Sequence, residues 1–349
     1  MNRLTRSTRL PNDSGNPHAT TSKQARSSIG SAILTLFVTL VACDVRAAQP
    51  AKAERIGVIH LGGVLATIVD GLRAGLKEYG LQEGKNFVLD IQDLKGDTKD
   101  VENLAKKFEQ DKVKLIFSNT QVVTSAAMKA TKNTPIVFAV GTDPVAQGYV
   151  QSFARPGSRL TGIHYLARDL TAKRLEILKE FLPKLRTIVT FYDPTNDVSV
   201  QAAKLGRDEA HRKNVKLTER KIKSIDELKG ELDGVKAGEF DAYLYVADAR
   251  VASQAQLVID TASAKKLPTM FHDQALVASG ALASYGQSYF EIGRRSAKYV
   301  QKILAGTPPA DLRVETIEDV ELAFNLKTAK EIGVTIPPNV LTRAAKVVR

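Results

Sequence analysis

Polar side chains follow several short apolar runs that we predict to be β-strands, and their types suit the recognition of a small molecule. Asn119 and Thr120 follow one such run, Asp143 follows the next, and Asn196 and Asp248 follow two later runs. A carboxylate accepts hydrogen bonds from an ammonium or hydroxyl group, whereas an asparagine amide both donates and accepts them. The set therefore predicts a site that orients a small polar or zwitterionic ligand.

Local structure offers a second interpretation of the same residues. Thr120 and Asp248 are of the types that cap helix N-termini, and Asp143 precedes Pro144, as turn residues often do. A helix N-terminus capped by Thr120 would also suit a ligand carboxylate, because its free N–H groups and partial positive charge face outward. The sequence leaves both interpretations open.

Glycine, tyrosine and histidine residues extend the set of candidates. Gly62 and Gly63 follow the first predicted strand, where glycine would let a ligand approach the backbone, although a plain tight turn explains them as well. Tyr285 lies near a predicted crossing between domains and could pack on an aromatic ligand. His60 and His272 could reach the same site, but a packed histidine is the commoner case.

No pattern typical of catalysis, of a cofactor or of a metal ion accompanies these candidates. Residues 80–86 resemble a P-loop superficially, but the segment is one residue short between its glycines and ends in asparagine, without the hydroxyl that binds Mg²⁺. The histidines show no ligand spacing, and Cys43 is the only cysteine. We therefore expect no enzyme activity, cofactor, metal site or internal disulfide.

The basic balance of the chain does not indicate a nucleic-acid partner. The formal net charge is +12, yet lysine and arginine are mixed with acidic residues, as in Lys173-Arg174-Leu175-Glu176. Nucleic-acid binders concentrate their positive charge on one face or helix, so we interpret these residues as solvated helix faces. We expect a monomer that binds a small molecule and no nucleic acid.

Residues 1–47 have the composition of an export signal. Residues 1–28 are polar and basic, and residues 29–42 are apolar but shorter than the about 20 residues that span a bilayer. Two cleavage sites compete. Residues 40–43 resemble a lipobox, which would make Cys43 a lipidated N-terminus, whereas residues 45–47 resemble an ordinary cleavage site. We expect a periplasmic protein, either free or held to the membrane by that lipid.

The elements that must position the candidate residues alternate along the rest of the chain. Short β-branched runs precede longer segments with apolar residues at spacings of three and four, which predicts successive strand–helix units. Two blocks of such units follow each other, with predicted strands at 56–59, 87–91, 113–117 and 135–140, and then at 187–192, 215–222, 242–246 and 268–271. This order predicts an α/β protein of two lobes, each a doubly wound parallel sheet.

Several segments resemble the family of ABC-transporter substrate-binding proteins, in the group that includes tryptophan- and tyrosine-binding members. The resemblance extends over residues 54–349, and the segments that carry it are 71–72, 81–86, 135–144, 154–157, 161–162, 173–179, 284–286, 324–330 and 336–338. The family has the type I periplasmic-binding-protein fold. The resemblance thus implies two lobes joined by hinge crossovers and a ligand-binding cleft between them.

The resemblance also implies where the chain passes from lobe to lobe. Residues 54–160 with 286–318 would form the first lobe, and residues 161–285 with 319–349 the second, with hinges near Thr161, Tyr285 and Asp319. The loops that carry Thr120, Asp143, Asn196 and Asp248 line the pocket in this family. Two segments, 60–63 and 249–250, depart from its usual features.

The implied partners are a small-molecule ligand and the permease of an ABC importer. By analogy with better-known members, the ligand is expected to be a hydrophobic or aromatic amino acid, with its anionic end at Thr120 and its cationic end at Asp143 or Asp248. A sensing module that binds a ligand without transport is the alternative that the sequence leaves open. A transcriptional regulator would need an N-terminal helix-turn-helix, where this chain has a signal-like apolar run.

Overall fold

Two β-sheets organise residues 53–349, which are the residues described by the computed structural model. Pro50–Arg349 form one compact unit. The leader lies outside the described residues, and so do Cys43 and both candidate cleavage sites.

The first sheet has six parallel strands in the order β2-β1-β3-β4-β5-β11. Its strands are β1 Glu54–His60, β2 Phe87–Asp93, β3 Leu115–Asn119, β4 Ile136–Val140, β5 Leu160–Tyr165 and β11 Glu315–Ile317. Every residue of β3 and β4 is buried, as expected for central strands that helices cover on both faces.

The second sheet has seven strands in the order β7-β6-β8-β9-β10-β12-β13. They are β6 Thr187–Tyr192, β7 Lys216–Lys221, β8 Ala242–Leu244, β9 Thr269–Phe271, β10 Ala283–Gly286, β12 Glu321–Asn325 and β13 Lys346–Val348. One pair, β10 with β12, is antiparallel, so this sheet departs at one edge from the fully parallel arrangement that we predicted.

Helices cover both sheets. They are α1 Ala66–Glu78, α2 Val101–Gln110, α3 Gln121–Ala130, α4 Thr171–Phe181, α5 Asp197–Arg212, α6 Ile225–Asp233, α7 Ala249–Ser253, α8 Ala255–Ala264, α9 Gln274–Ala278, α10 Tyr289–Leu304, α11 Leu326–Ile332 and α12 Pro338–Leu341. In the first lobe α1 packs against α10 and α2 against α3; in the second α4 packs against α5 and α6 against α8. The predicted fold class, two doubly wound α/β lobes, is confirmed.

The two sheets share one topology. In each, the second strand of the block lies outside the first, and the third and later strands follow on the other side, as in β2-β1-β3-β4 and β7-β6-β8-β9. The order therefore reverses between β1 and β3 in the first lobe and between β6 and β8 in the second. These two reversal points are where loops diverge and leave a crevice at the carboxyl ends of the strands.

The chain passes between the lobes after β5, after β10 and after β11. Before the first passage, β5 pairs with β4 over residues 160–164 and with β11 over residues 163–165. The chain leaves the first sheet only after Tyr165. As a strand of the first sheet, β5 obtains from its neighbouring strands the hydrogen-bond partners that its buried backbone N–H and C=O groups need.

Candidate ligand-binding cleft

Three connected cavities follow the interface between the lobes, and together we call them the cleft. The outer cavity, about 330 Å³, lies between Glu102 and Lys129 of the first lobe and Asp193 and Arg250 of the second. The middle cavity, about 50 Å³, shares with it the first residues of α3 and α7 and the cap of α5. The inner cavity, about 10 Å³, shares Ala167 and three tyrosines with the middle one.

The loops that line the cleft follow the strands at which each sheet reverses its order. In the first lobe the loop with Leu61 and Leu65 follows β1, and Thr120 follows β3. In the second lobe Asn196 lies in the loop after β6, and Asp248 lies in the loop after β8. Because ligands of open parallel sheets bind at such reversal points, the cleft joins two binding positions, one from each lobe.

Thr120 lies at the N-terminus of α3, and its backbone has φ of 102°. Its hydroxyl accepts a hydrogen bond from the N–H of Val123 at 3.4 Å, so Thr120 acts as a helix cap and also lines the middle cavity. The next residues, Gln121 and Val122, line both the outer and the middle cavities. First-turn N–H groups have no acceptor within their helix, so this end of α3 offers donors and partial positive charge to the cleft.

Asn196 and Asp248 cap two helices of the second lobe and line both the outer and the middle cavities. The Asn196 Oδ1 accepts from the N–H of Val198 at 2.9 Å, which leaves its amide N–H₂ group to act as a donor toward the cleft. The Asp248 Oδ2 accepts from the N–H of Asp193 and the hydroxyl of Ser199, both at 2.8 Å, and Oδ1 accepts from the N–H of Val251 at 2.8 Å.

Burial raises the pKa of Asp248, and its three hydrogen bonds offset that effect only in part. A buried carboxylate with an incomplete set of partners favours a neighbouring cation. Asp248 is thus placed to accept from an ammonium group, while it also holds the start of α7.

Asp193 and Arg250 form an ion pair on the second-lobe side of the outer cavity. Burial opposes the ionisation of Asp193, but hydrogen bonds from Thr195 and the charge of Arg250 outweigh burial and lower the pKa of Asp193. The pair was not among the sequence candidates, although both residues lie in loops that the strand-end argument singled out.

Three tyrosines surround the passage from the middle to the inner cavity: Tyr165, Tyr245 and Tyr289. The ring centroids of Tyr165 and Tyr289 are 5.9 Å apart in an edge-to-face arrangement. Such rings form an apolar, shape-selective wall for a flat ligand group. Sequence reasoning missed all three, because Tyr165 ends β5, Tyr245 follows β8 and Tyr289 begins α10, and an aromatic residue at such positions usually signals core packing.

Arg174 lies at the closed end of the inner cavity and is 1% exposed. Its Nε donates to the carbonyl oxygen of Tyr285 at 2.8 Å, and Nη1 lies 3.5 Å from the carbonyl oxygen of Ala167. Its guanidinium carbon lies 5.6 Å from the ring centroid of Tyr245. Burial lowers the pKa of Arg174 to about 10, so the group keeps its charge at neutral pH. The interpretation of residues 173–176 as a solvated helix face is wrong for Arg174, whose position in a run of charged helical residues hides its burial.

His272 forms another wall of the inner cavity and is 3% exposed. Its ring stacks on Tyr245 with centroids 4.0 Å apart. Neither Nδ1 nor Nε2 has a hydrogen-bond partner among the described residues. Burial, aided by the nearby charge of Arg174, lowers the pKa of His272 well below its usual value, so the ring is neutral.

Five of the predicted site residues lie outside the lining of these cavities, and Asp143, Asn119 and Tyr285 are three of them. Asp143 follows β4, one strand away from the reversal point, and its Oδ1 accepts from the N–H of Val145 at 2.8 Å within its own turn. The Asn119 Nδ2 donates to the carbonyl oxygen of Leu65 at 3.0 Å. Tyr285 lies in β10, where its carbonyl oxygen accepts from Arg174.

Gly62 and Gly63 contact protein rather than line the cavities. Gly63 has φ of 56°, and a Cβ there would lie 2.2 Å from the carbonyl oxygen of Ser253 in the second lobe. A Cβ on Gly62 would lie 2.4 Å from Oδ1 of Asp93. The Gln254 Nε2 donates to the carbonyl oxygen of Lys95 at 3.2 Å, which also joins the lobes. Gly63 thus permits the close approach of the lobes at the edge of the cleft, whereas Gly62 packs against Asp93 of its own lobe.

Among residues 53–349, no group of three His, Cys, Asp or Glu side chains is placed to hold a metal ion. Within the same range, none of the helices has the length and apolar character needed to cross a membrane.

The chain is similar to known proteins over nearly all of the described residues. Residues 56–348 match the family described as ABC transporter substrate binding protein. The chain is 30% identical over 286 residues to the tyrosine-binding protein of Clostridioides difficile, and the alignment covers 80% of this chain and 81% of that protein.

Two solved structures share the architecture with different TM-scores. The ABC domain from Streptococcus pneumonia in complex with L-Trp is 25% identical and gives a TM-score of 0.75 over 85% of this chain and all of that one. The ligand-free, open structure of a substrate-binding protein with adhesive properties from Clostridium difficile is 30% identical. It gives a TM-score of 0.56 over 85% of this chain and 99% of that one.

Proposed function

The chain belongs to the family of ABC transporter substrate-binding proteins, as its sequence resemblance predicted, and on this premise we propose that it captures an aromatic amino acid in the cleft for an ABC importer. The observation that carries the proposal is the cleft itself. Loops at both reversal points meet around it, and three tyrosines line its deeper part.

The chemistry of the cleft suits both ends of an α-amino acid. Asp248 is a buried acid with capacity for an ammonium group. The α3 N-terminus, at Gln121 and Val122, offers N–H groups to a carboxylate. Both partners matter because an unpaired buried charge is costly. Between these groups and the inner cavity, Tyr165, Tyr245 and Tyr289 surround the space left for a side chain, which supports an aromatic one.

The described arrangement of the lobes supports capture by closure. Gly63 touches Ser253 and Gln254 donates to Lys95 across the cleft edge. The TM-score is higher with the L-Trp complex than with the more identical open, ligand-free structure. A change in the angle between lobes lowers such a score without changing either fold, so the two TM-scores support a closed arrangement of the described protein. Ligand contacts to both lobes would stabilise it.

A titration calorimetry series tests the ligand class. We expect L-tyrosine, L-tryptophan or L-phenylalanine to bind with a dissociation constant at least about 100-fold below that of L-alanine, because burying an aromatic side chain contributes several kcal/mol. Tyr245→Ala and Tyr289→Ala should each weaken that binding by about tenfold or more.

Tyr79→Ala is the matched control, because Tyr79 is 49% exposed at the end of α1, away from the cleft. It should leave the affinity unchanged. Tight binding of alanine or of a sugar, with aromatic amino acids inactive, would contradict the proposed ligand class.

The proposed role in import also implies a permease partner and a location outside the cytoplasmic membrane. Transport into vesicles that contain the cognate permease and ATPase should require this protein and should follow its ligand preference. Ligand binding without any stimulation of transport would favour the alternative, a sensing module.

A further inference from the structure

The inner cavity has room for about one oxygen atom. Its volume is about 10 Å³, close to the minimum for one water molecule. It opens into the middle cavity between Tyr165, Tyr245 and Tyr289, so a flat ring held by these tyrosines would direct its far edge into this space.

Polar groups with unused hydrogen-bonding capacity surround this small space. His272 has two buried ring nitrogens, and the described residues provide a partner for neither. Nη2 of Arg174 likewise has no acceptor among the residues from Ala53 to Arg349, whereas Nε and Nη1 of Arg174 contact carbonyl oxygens. A neutral imidazole has one donor and one acceptor nitrogen, and a guanidinium has donors alone.

Such groups are costly to bury without partners, and native proteins seldom leave them so. A single hydroxyl would supply partners for two of these groups, since its hydrogen can be donated to the unprotonated nitrogen of His272 while its oxygen accepts from Arg174. A carboxylate, with two oxygens, exceeds the space. A plain phenyl ring would leave His272 and Arg174 without partners.

We propose that His272 and Arg174 select a ligand with a hydroxyl at the far end of its aromatic ring, that is, a para-hydroxyphenyl group. This inference rests on the proposed function, because it takes the ring to lie among the three tyrosines. It makes His272 and Arg174 specificity-determining residues and predicts that the cleft discriminates between ligands that differ by one oxygen.

Calorimetric titration of the purified protein with L-tyrosine and L-phenylalanine tests the proposal. The wild-type protein should bind L-tyrosine about 30- to 100-fold more tightly, because phenylalanine leaves buried polar groups unsatisfied. His272→Phe keeps the stack on Tyr245 and removes both nitrogens. It should weaken tyrosine binding and leave phenylalanine binding equal or stronger, so that the ratio falls to within about threefold of one.

His164→Phe is the matched control, because His164 is a half-buried histidine of the first lobe that faces Phe153 and Thr316 rather than the cleft. Its tyrosine-to-phenylalanine ratio should equal that of the wild type. Arg174→Lys is a second, independent variant in case His272→Phe does not fold. It keeps the charge but loses the fork of donors, and should lower the ratio by about tenfold.

The outcomes separate this inference from the proposed function. Equal wild-type affinity for tyrosine and phenylalanine would overturn the hydroxyl site, with water as the occupant of the inner cavity, and would leave the proposed function standing. A tyrosine preference that survives in His272→Phe and Arg174→Lys would overturn the assignment to these residues. Binding of neither ligand, nor of tryptophan, would contradict the proposed ligand class itself.

Discussion

The two lobes share a topology but contribute different chemistry to the cleft. The first lobe contributes Gly141, aliphatic side chains, a helix N-terminus and two tyrosines, and its ionisable lining residues, Glu102 and Lys129, lie at the outer cavity. The second lobe contributes the buried ionisable groups, Asp193, Asp248, Arg174 and His272.

Equivalent positions in the two lobes therefore have different roles in the cleft. Charged groups that need fixed partners lie within one lobe, where Asp248 accepts hydrogen bonds from the N–H groups of Asp193 and Val251 of the same lobe. The first lobe then acts largely as a cover, whose fit depends on backbone shape. Changes in the first lobe should therefore alter closure, and changes in the second should alter recognition.

The largest effect is expected from Gly63→Ala in the first lobe. Its Cβ would lie 2.2 Å from the Ser253 carbonyl oxygen in the closed arrangement, so closure should be blocked and the affinity for an aromatic amino acid should fall about 100-fold, or about 2.7 kcal/mol. Calorimetry measures the affinity and thermal melting the stability of the ligand-free protein.

Gly84→Ala is the matched control, because Gly84 also has a positive φ, of 84°, yet nothing lies within 4 Å of its added Cβ. Both variants should lose similar stability from backbone strain, about 1–2 kcal/mol, and only Gly63→Ala should lose affinity. Equal affinities for the two variants would show that the first lobe does not close on Ser253.

The next largest loss of affinity is expected from a change in one of two acids that follow strands, Asp248 of the second lobe and Asp143 of the first. Asp248→Asn should weaken binding about 30-fold, because the change removes the negative charge that faces a ligand ammonium and places an amide N–H₂ against the donors of Asp193 and Ser199. Asp143→Asn keeps the acceptor that binds Val145 and should change affinity less than about threefold. If Asp143→Asn lowered the affinity as much as Asp248→Asn, Asp143 of the first lobe would also take part in ligand binding.

One buried histidine in each lobe, His272 and His60, should make the stability of the protein depend on pH. Burial and the charge of Arg174 lower the pKa of His272 well below 6.5, so below about pH 6.5 the unfolded chain takes up a proton that the folded protein does not. Stability should fall with decreasing pH, by at most about 1.4 kcal/mol per unit from this residue. Burial also lowers the pKa of His60 in the first lobe, but Asp93 and Asp70 oppose the shift, so His60 should contribute less.

Thermal melting between pH 7.5 and 5.5 (roughly the window set by the histidine pKa) measures these slopes. His272→Phe should flatten the curve more than His60→Phe does. A slope unchanged in His272→Phe would mean that His272 is not held neutral.

The smallest effect concerns acids outside the cleft. Glu109 accepts from the N–H groups of Lys132, Asn133 and Thr134. Burial opposes the ionisation of Glu109, but these hydrogen bonds prevail and lower its pKa to about 2.

Asp241 of the second lobe similarly accepts from the N–H groups of Arg186 and Thr187. Glu109→Gln and Asp241→Asn should each cost about 1 kcal/mol of stability at neutral pH and leave affinity unchanged. A loss of affinity in either would show coupling between its loop and the cleft.

The stabilising effect of Glu109 depends on its charge. Because its pKa is lower in the folded than in the unfolded chain, its contribution is present above about pH 4.5 and is lost as pH falls toward 2. Chemical unfolding of wild type and Glu109→Gln at both ends of this range should give converging free energies at the acid end.

The sequence predicted the fold better than the site. Long apolar runs such as β6 were placed at their observed bounds, because a doubly covered strand is apolar throughout. Short elements were missed: α9 has five residues, and β11 and β13 have three each. The strands β8 and β9 also have three residues each, but they lie in apolar runs that could be recognised. The missed strands lie outside such runs, and their pairing depends on the tertiary structure.

The site was predicted in part because strand ends are visible in a sequence but strand order is not. Thr120, Asn196 and Asp248 follow strands at the reversal points and line the cleft, whereas Asp143 follows β4, one strand farther along the sheet. Arg174 could not be singled out, because only the folded hinge removes a helical arginine from solvent and brings it to Tyr285. The lobe limits, the leader and the fate of Cys43 remain predictions.

Measuring the distance between the lobes during titration with L-tyrosine tests directly whether the two lobes close around the ligand. Cys43 is the only cysteine, so a protein that starts at Pro50 accepts spin labels at introduced cysteines in place of the exposed Lys106 of α2 and Lys204 of α5. The distance should shorten as ligand saturates the wild type and stay long in Gly63→Ala. Saturation of the wild type by ligand with no change in distance would contradict closure of the two lobes around the ligand.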